Sequence, residues 1–379
     1  MSDEGSESAC EWLPTGQEAF GAMLAAIEAA RESVRLETYI FATGKLGERF
    51  RSALVRARQR GVSVRVLLDA LGSMSLPDTF WLALTAASGE VRWFNPPLLN
   101  RFGIRDHRKL LVCDERVAFV GGFNIAPEYE GDGVNQGWCD VGLKAEGLLA
   151  SQLAEAFDEM FARADEPRRP FPRLRDLGAK KTVDCAREQL LLSGPGLGVS
   201  PIKRALHQDL RSARRVQIAM GYFLPTWRIR RELSRIARSG GSVELILAGQ
   251  SDVPLSRLAA RSLYRRLLKS GVMIREYQPQ VLHGKLIIID EVVYAGSANL
   301  DQRSLRVNYE LMVRLEQSDL VCEARDLFAK WAGRCRVINS AAWREHQTIW
   351  RRIKQRVAYY LLVRLDAWVA RWRWGTEGD

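Results

Sequence analysis

Apolar and polar positions along this chain fall into two alternating rhythms, and the alternation occurs twice. SVRLETYIF (33–41) reads as a strand, LGERFRSALVRARQRG as a helix, and VSVRVLLDA as a second strand. Much later RVQIAMGYF (215–223), IRRELSRIARSGG and SVELILAGQ repeat that order, with Val64 and Val243 in equivalent places 179 residues apart. Each copy continues into a further helix and strand, FWLALTAASGEVRWFNPP in one and RSLYRRLLKSGVMIREYQPQ in the other. Strands and helices alternating at this spacing predict parallel α/β layers in both copies.

Between the copies, 165–181 carries three prolines within six residues and reads as a linker. The expected organisation is a first half over 11–164, a linker over 165–190, a second half over 191–338 and a C-terminal tail over 341–379. The length of 379 residues suits two core-forming units, packed together as one body or left apart.

Candidate chemistry sits at matching places in the two copies. The chain has four histidines, and two of them open near-identical runs, His107 in HRKLLVCD and His283 in HGKLIIID. Each has a lysine two residues on (Lys109, Lys285) and an aspartate seven on (Asp114, Asp290). On a strand, residues two apart share a face, so each His and its Lys are predicted to project together. The apolar runs that follow suit a strand buried on both faces. Asp114 and Asp290 lie at an odd offset and open a turn, where a carboxylate can bond backbone amides, so a structural role is expected for both. A returning strand then ends in GGFN at Asn124 and in GSAN at Asn299. The small residues there allow close backbone approach, and each Asn offers an amide donor. Asp140 and Glu310 follow downstream, each expected to hold the far ring nitrogen of its own histidine. Glu37 is a further candidate for facing the site, while Cys113 and Cys139 read as core thiols.

The paired HxKx4D runs, each followed by G(G/S)xN, resemble the phospholipase D superfamily, whose two halves each give one motif to a shared site. The stretches GSANLDQRSLRVNYEL, WCDVGLKAEG and GYFLPTWRIRRELSRIARSGGSVELILAGQSDVP are similar to bacterial cardiolipin synthases of the B type, which lack N-terminal membrane spans. The resemblance runs from about residue 11 to 335. It implies two α/β-sandwich halves packed with pseudo-two-fold symmetry around one active site. The implied activity is transfer of a phosphatidyl group between phosphatidylglycerol molecules, with glycerol released. Residue chemistry gives the outline of the mechanism: one His attacks phosphorus and the other protonates the leaving alcohol. Lys109, Lys285, Asn124 and Asn299 surround the nonbridging oxygens, where other enzymes place metal ions. No metal and no cofactor are expected. The symmetry of the motifs does not order the two histidines; the resemblance favours His107 as nucleophile and His283 as acid.

Charge narrows the partners. The net charge is +11 and most of the 56 basic residues are arginine, so a phosphate-rich partner is expected. Nucleic acid and an anionic membrane both satisfy that condition. No run approaches the ~18 apolar residues that a spanning helix needs, and the polar start MSDEGSESACEW has no secretory pattern. Six scattered cysteines form no CxxC pair and read as free thiols in a reducing compartment.

The tail adds a second clue. Residues 343–374 hold five of the 11 tryptophans and eight basic residues against two acidic ones. Trp350, Ile353, Val357, Leu361, Leu365, Trp368 and Trp372 recur at spacings of three and four, which makes one helical face. Trp350, Trp368 and Trp372 are the expected membrane contacts, at a lipid headgroup layer; a helix packed on the core has the same pattern. The expected setting is peripheral, on the cytoplasmic face of the cell membrane, with phospholipid as substrate and no nucleic acid partner. Phosphatidylethanolamine as a substrate and the oligomeric state are left open. A hydrolytic phospholipase D, a nuclease of the same superfamily and a non-enzymatic lipid-binding scaffold are the alternative readings.

Overall fold

The computed structural model describes residues 8–77, 79–96, 103–164, 180–185, 187–196, 198–345 and 347–374, with the backbone alone for 342, 344 and 364–374. The first half contributes β1 (Cys10–Leu13), α1 (Gly16–Ala29), β2 (Ser33–Thr38), α2 (Lys45–Gln59), β3 (Ser63–Asp69), α3 (Leu82–Ala86), β4 (Glu90–Phe94), β5 (Leu110–Cys113), β6 (Val117–Gly121), β7 (Gly142–Glu146) and α4 (Leu148–Ala164). Its sheet runs β1-β7-β6-β5-β2-β3-β4.

The second half contributes β8 (Lys181–Cys185), β9 (Glu188–Ser193), α5 (Pro201–Ser212), β10 (Arg215–Met220), α6 (Trp227–Arg238), β11 (Ser242–Ala248), α7 (Pro254–Lys269), β12 (Met273–Tyr277), β13 (Lys285–Ile289) and β14 (Val292–Gly296). It continues through α8 (Gln302–Arg306), β15 (Glu310–Leu315), α9 (Ser318–Ala332), β16 (Cys335–Val337), α10 (Ser340–Glu345) and α11 (Ile349–Trp374). Its sheet runs β16-β12-β11-β10-β13-β14-β15-β9-β8. The order β7-β6-β5-β2-β3-β4 in one sheet is therefore matched by β15-β14-β13-β10-β11-β12 in the other.

Two expectations need correction. The linker expected over 165–190 is shorter at its C-terminal end, because Lys181–Cys185 and Glu188–Ser193 pair as a hairpin whose second strand lies along β15. KTVDC alternates and EQLLLS holds a continuous apolar run, both of which are strand patterns; 165–179 lies outside the described residues. The layers are also parallel only in part. β2, β3 and β4 are parallel, as are β10, β11 and β12, whereas the motif strands β5 to β7 and β13 to β15 are antiparallel. A short turn, rather than a crossover helix, joins β5 to β6 and β13 to β14, and a short turn can only reverse the chain.

The apolar motif strands knit the layers together. Leu110, Val112, Leu286 and Ile288 enter a core shared by both halves, with α4 and α9 between the sheets. Leu111 and Cys113 face the outer helices of the first half, and Ile287 and Ile289 face those of the second. Every residue of β5 and β13 is buried, which is why Leu110–Cys113 and Leu286–Ile289 read as unbroken apolar runs. The aspartates after them hold the turns. The Asp114 carboxylate accepts from the amides of Arg31, Glu32 and Ser33, and that of Asp290 from those of Arg214 and Arg215. Both residues have positive φ, +54° and +45°, a conformation aspartate tolerates better than most side chains.

Candidate active site

His107 and His283 lie in the extended segments leading into β5 and β13 rather than on the strands, which begin at Leu110 and Lys285. Backbone pairing fixes each segment against the opposite half. The His107 amide donates to Tyr309 O at 3.0 Å, and the Tyr309 amide donates to Arg105 O at 2.9 Å. The His283 amide donates to Cys139 O at 2.8 Å, and the Cys139 amide to Val281 O at 2.9 Å. Tyr309 and Cys139 immediately precede Glu310 and Asp140, so each pairing brings a carboxylate to the histidine of the other half.

The result corrects the expected partnership. His283 Nδ1 lies 2.6 Å from Asp140 Oδ2, and His107 Nδ1 lies 3.0 Å from Glu310 Oε1. The carboxylates are exchanged between halves; neither serves the histidine that precedes it in sequence. The GG and GS pairs leave room for this exchange rather than for a ligand. A Cβ on Gly122 would stand 2.2 Å from an Asp140 carboxylate oxygen, and at the equivalent place Ser297 Oγ donates to Glu310 Oε2 at 2.5 Å.

Electrostatics follow from the burial. Lys285 is fully buried and Lys109 nearly so. Lys109 Nζ donates to His107 O at 2.7 Å, while Lys285 Nζ contacts His283 O and lies 2.9 Å from His283 Nδ1 and 3.2 Å from Nε2. Burial pushes Lys109 down to about 7, against the pull of Glu310. Burial also lowers Lys285, though Asp140 and Glu310 oppose the shift. Both imidazoles are held below their ordinary range, His107 by burial with Lys109 and Lys285, and His283 by burial with Lys285. The two carboxyls differ. Burial pushes Glu310 up to about 7; burial acts on Asp140 too, but His283 and Lys285 outweigh it and keep Asp140 below its ordinary range. With a carboxylate at each Nδ1, the Nδ1–H tautomer is favoured and Nε2 keeps its lone pair.

Asn124 spans between elements: its Oδ1 accepts from the Ile40 amide at 3.1 Å and its Nδ2 donates to Tyr129 Oη at 2.7 Å. Asn299 Oδ1 is buried with no hydrogen-bond partner among the described residues. Trp350 is 73% exposed, whereas the side chains of Trp368 and Trp372 lie outside the described residues. Cys113 and Cys139 are buried. Glu37 sits fully buried beside Arg108, 3.0 Å from its Nε, and burial holds its carboxyl well above the usual range.

The structure adds aromatic residues that motif spacing did not reveal. Tyr39 packs edge-on to His107, and Tyr129, Trp138 and Tyr222 surround His283, with Tyr129 Oη 3.4 Å from Nε2. A signal for two of them was present, since Tyr39 and Tyr222 both sit in the repeated YIF and GYF ends of the first strand pair. Tyr129 and Trp138 lie in a loop with no counterpart in the repeat.

Two matched sheets, two exchanged His–carboxylate pairs and two buried lysines define a protein of the phospholipase D type, with one composite centre. The chain belongs to the family described as "Cardiolipin synthase, PLD-like domain", which matches residues 23–160 and 206–331. It is 34% identical over 305 residues to cardiolipin synthase B of Salmonella typhi, covering 79% of this chain and 74% of that protein. It is 32% identical over 378 residues to cardiolipin synthase B of Escherichia coli K12, covering 95% and 91%. Among solved structures, phosphatidylserine synthase from Haemophilus influenzae shares the fold over 98% of this chain and 96% of its own, with a TM-score of 0.75 at 15% identity.

Proposed function

We propose that this protein is a phosphatidyltransferase of cardiolipin synthase type, moving a phosphatidyl group from one phosphatidylglycerol to another at the cytoplasmic face of a membrane. The exchanged His–carboxylate pairs carry the reading: two imidazoles with fixed Nδ1 protons supply a nucleophile and an acid to one phosphorus. Family membership and the identity to cardiolipin synthase B proteins support the same reaction. The proposed first step has His107 Nε2 attack phosphorus as the bond to the headgroup glycerol breaks, with His283 giving that oxygen its proton. In the second step the acceptor hydroxyl returns a proton to His283 and attacks the phosphohistidine, freeing His107. In the free site burial holds both imidazoles below their ordinary range, which favours their neutral forms. The proton on His283 therefore depends on the negative charge of the bound phosphodiester to hold it there. Lys109, Lys285 and the amides of Asn124 and Asn299 are the proposed contacts to the nonbridging oxygens. No described helix is long and apolar enough to cross a membrane, and a peripheral setting fits that.

The test is mass spectrometry of lipids after the purified chain meets phosphatidylglycerol vesicles in excess chelator. Cardiolipin and glycerol are expected, and added glycerol should return cardiolipin to phosphatidylglycerol because the exchange between alcohols is nearly isoenergetic. Phosphatidic acid whatever the glycerol level would make the protein a hydrolase, and dependence on a divalent ion would remove the lysines from their assigned role.

The lysines also set a pH dependence. Lys109 is an ammonium below about 7 and neutral above, so kcat/KM should fall by up to about tenfold per pH unit on the alkaline side. Glu310, pushed up to about 7, ionises over the same interval, but its carboxylate supports His107, so its effect has the opposite sign. Lys109→Arg keeps its charge and should move the falling limb well above pH 8, at a lower maximum rate. An unmoved limb would assign it to another group.

A further inference from the structure

The catalytic centre is two-fold, but its rim is not. Beyond β10, Tyr222 packs edge-on to His283 with ring centres 6.2 Å apart, and its Oη donates to the Asp252 carboxylate at 2.6–2.7 Å. Tyr222 is half-buried and Asp252 exposed. Asp252 is close enough to Lys285 for its charge to favour that ammonium. Counting from the ends of the matched strands, Ile40 and Ser73 hold these places in the first half. Ser73 is buried and spent on the backbone, its Oγ accepting from the Phe41 amide and donating to Tyr39 O. One lip of the site therefore bears an exposed carboxylate held by a phenol; the other has the phenol of Tyr39 beside His107 but no carboxylate at the place of Asp252.

A carboxylate at the mouth of a site built from lysines and histidines repels phosphate, so its exposed oxygens are no direct contact for that group. Its free lone pairs accept hydrogen bonds, and Tyr222 has a single proton to occupy them. The matching ligand is one that donates several hydrogen bonds and sits beside His283, where the alcohol leaves and the next one enters. We infer that Tyr222 and Asp252 form a polyol subsite, which recognises the hydroxyls of the glycerol headgroup as it departs and of the acceptor as it arrives. The inference rests on the transferase reading and assigns the second half of the centre to the alcohol. The phosphatidyl group then lies toward His107 and the lip that lacks this carboxylate. Two chemically similar histidines cannot by themselves distinguish donor from acceptor, and this difference between the lips provides a direction.

The experiment offers cardiolipin in detergent micelles to the full chain with either glycerol or propan-1-ol, which keeps the carbon skeleton and loses two hydroxyls. The glycerol is isotopically labelled, because unlabelled phosphatidylglycerol leaves cardiolipin in the first step with either alcohol, and labelled phosphatidylglycerol and phosphatidylpropanol are measured by mass spectrometry. The wild type should favour glycerol by about 10- to 100-fold in kcat/KM, as for a partly solvated hydrogen-bonding site. Asp252→Asn and Tyr222→Phe should each remove most of that preference, read as the ratio of kcat/KM for glycerol to that for propan-1-ol, so that any loss common to both alcohols cancels. Equal losses with both alcohols would make the pair a support for His283 and overturn the inference, as would an unchanged preference. A wild-type preference for ethanolamine over glycerol that Asp252→Asn abolishes would place an ammonium there and overturn the polyol assignment. A wild type that transfers to no alcohol fails at an earlier point: the transferase reading falls, and the subsite with it.

Discussion

Asparagine at either His107 or His283 is expected to lower turnover by at least ~10⁴-fold, with each variant still folded by circular dichroism and thermal melting. In the proposed mechanism both imidazoles are needed, because each performs what the other cannot at the same instant: one forms the bond to phosphorus while the other carries the proton. Loss of one should therefore cost nearly as much as loss of both, and the double variant should show little further decline. A rapid denaturing quench during turnover should leave the phosphoryl adduct on a peptide containing His107. An adduct on His283 would reverse the two roles and keep the shared centre, while a near-normal rate in either single variant would dismantle it. Asp140→Asn and Glu310→Gln disturb the same ring nitrogens and should weaken the histidine of the opposite half, since the contacts cross between halves.

Replacing Trp350, Ile353 and Val357 together by serine is expected to weaken binding to anionic vesicles by about 100-fold or more, while activity on detergent-dispersed lipid is unchanged. α11 lies against α7 and uses one face to do so: Gln355 and Ala358 are buried, and Tyr359 and Leu362 pack on the core of the second half. The opposite face holds Trp350 at 73%, Ile353 at 44%, Val357 at 51% and Leu361 at 42% exposure. Moving such side chains into the headgroup layer is worth about 1–2 kcal/mol each, and three of them account for the expected loss. Arg352, Lys354 and Arg356 are exposed around that ridge and add an attraction that salt screens. Binding should therefore fall in part at high salt, and what remains should vanish in the triple variant. Truncating the tail is the poorer experiment, because it uncovers the core around Ala358. Unchanged vesicle sedimentation by the triple variant would move membrane contact elsewhere on the surface.

The tail also shows how far pattern reading reaches. The spacing of Trp350, Ile353, Val357 and Leu361 located a helix and its apolar stripe, but apolar periodicity ordinarily marks the face that packs inward. Here the stripe is turned outward, and the docked face is made of Gln355, Ala358, Tyr359 and Leu362, a less apolar set that a hydrophobicity pattern ranks below the Trp350 stripe. Helix existence is a local property of the chain; which face is buried depends on the surface it meets.

The same division holds in the centre. The duplicated His-x-Lys-x4-Asp text, the apolar runs that follow and the paired Asn residues identified the motif strands, the buried lysines and the turns held by Asp114 and Asp290. All of these are set within a few residues of sequence, by strand alternation and turn geometry, so the chain determined them alone. The partners of the histidines are set otherwise. Asp140 stands 33 residues after His107 but bonds His283, and Glu310 reaches back across 203 residues to His107. That exchange depends on backbone pairing of Tyr309 with Arg105 and His107, and of Cys139 with Val281 and His283. The aromatic wall around His283 and the carboxylate beside Tyr222 were likewise decided by tertiary structure. Contacts of this kind form only when two sheets pack face to face, and sequence distance carries no record of which residues meet across that interface.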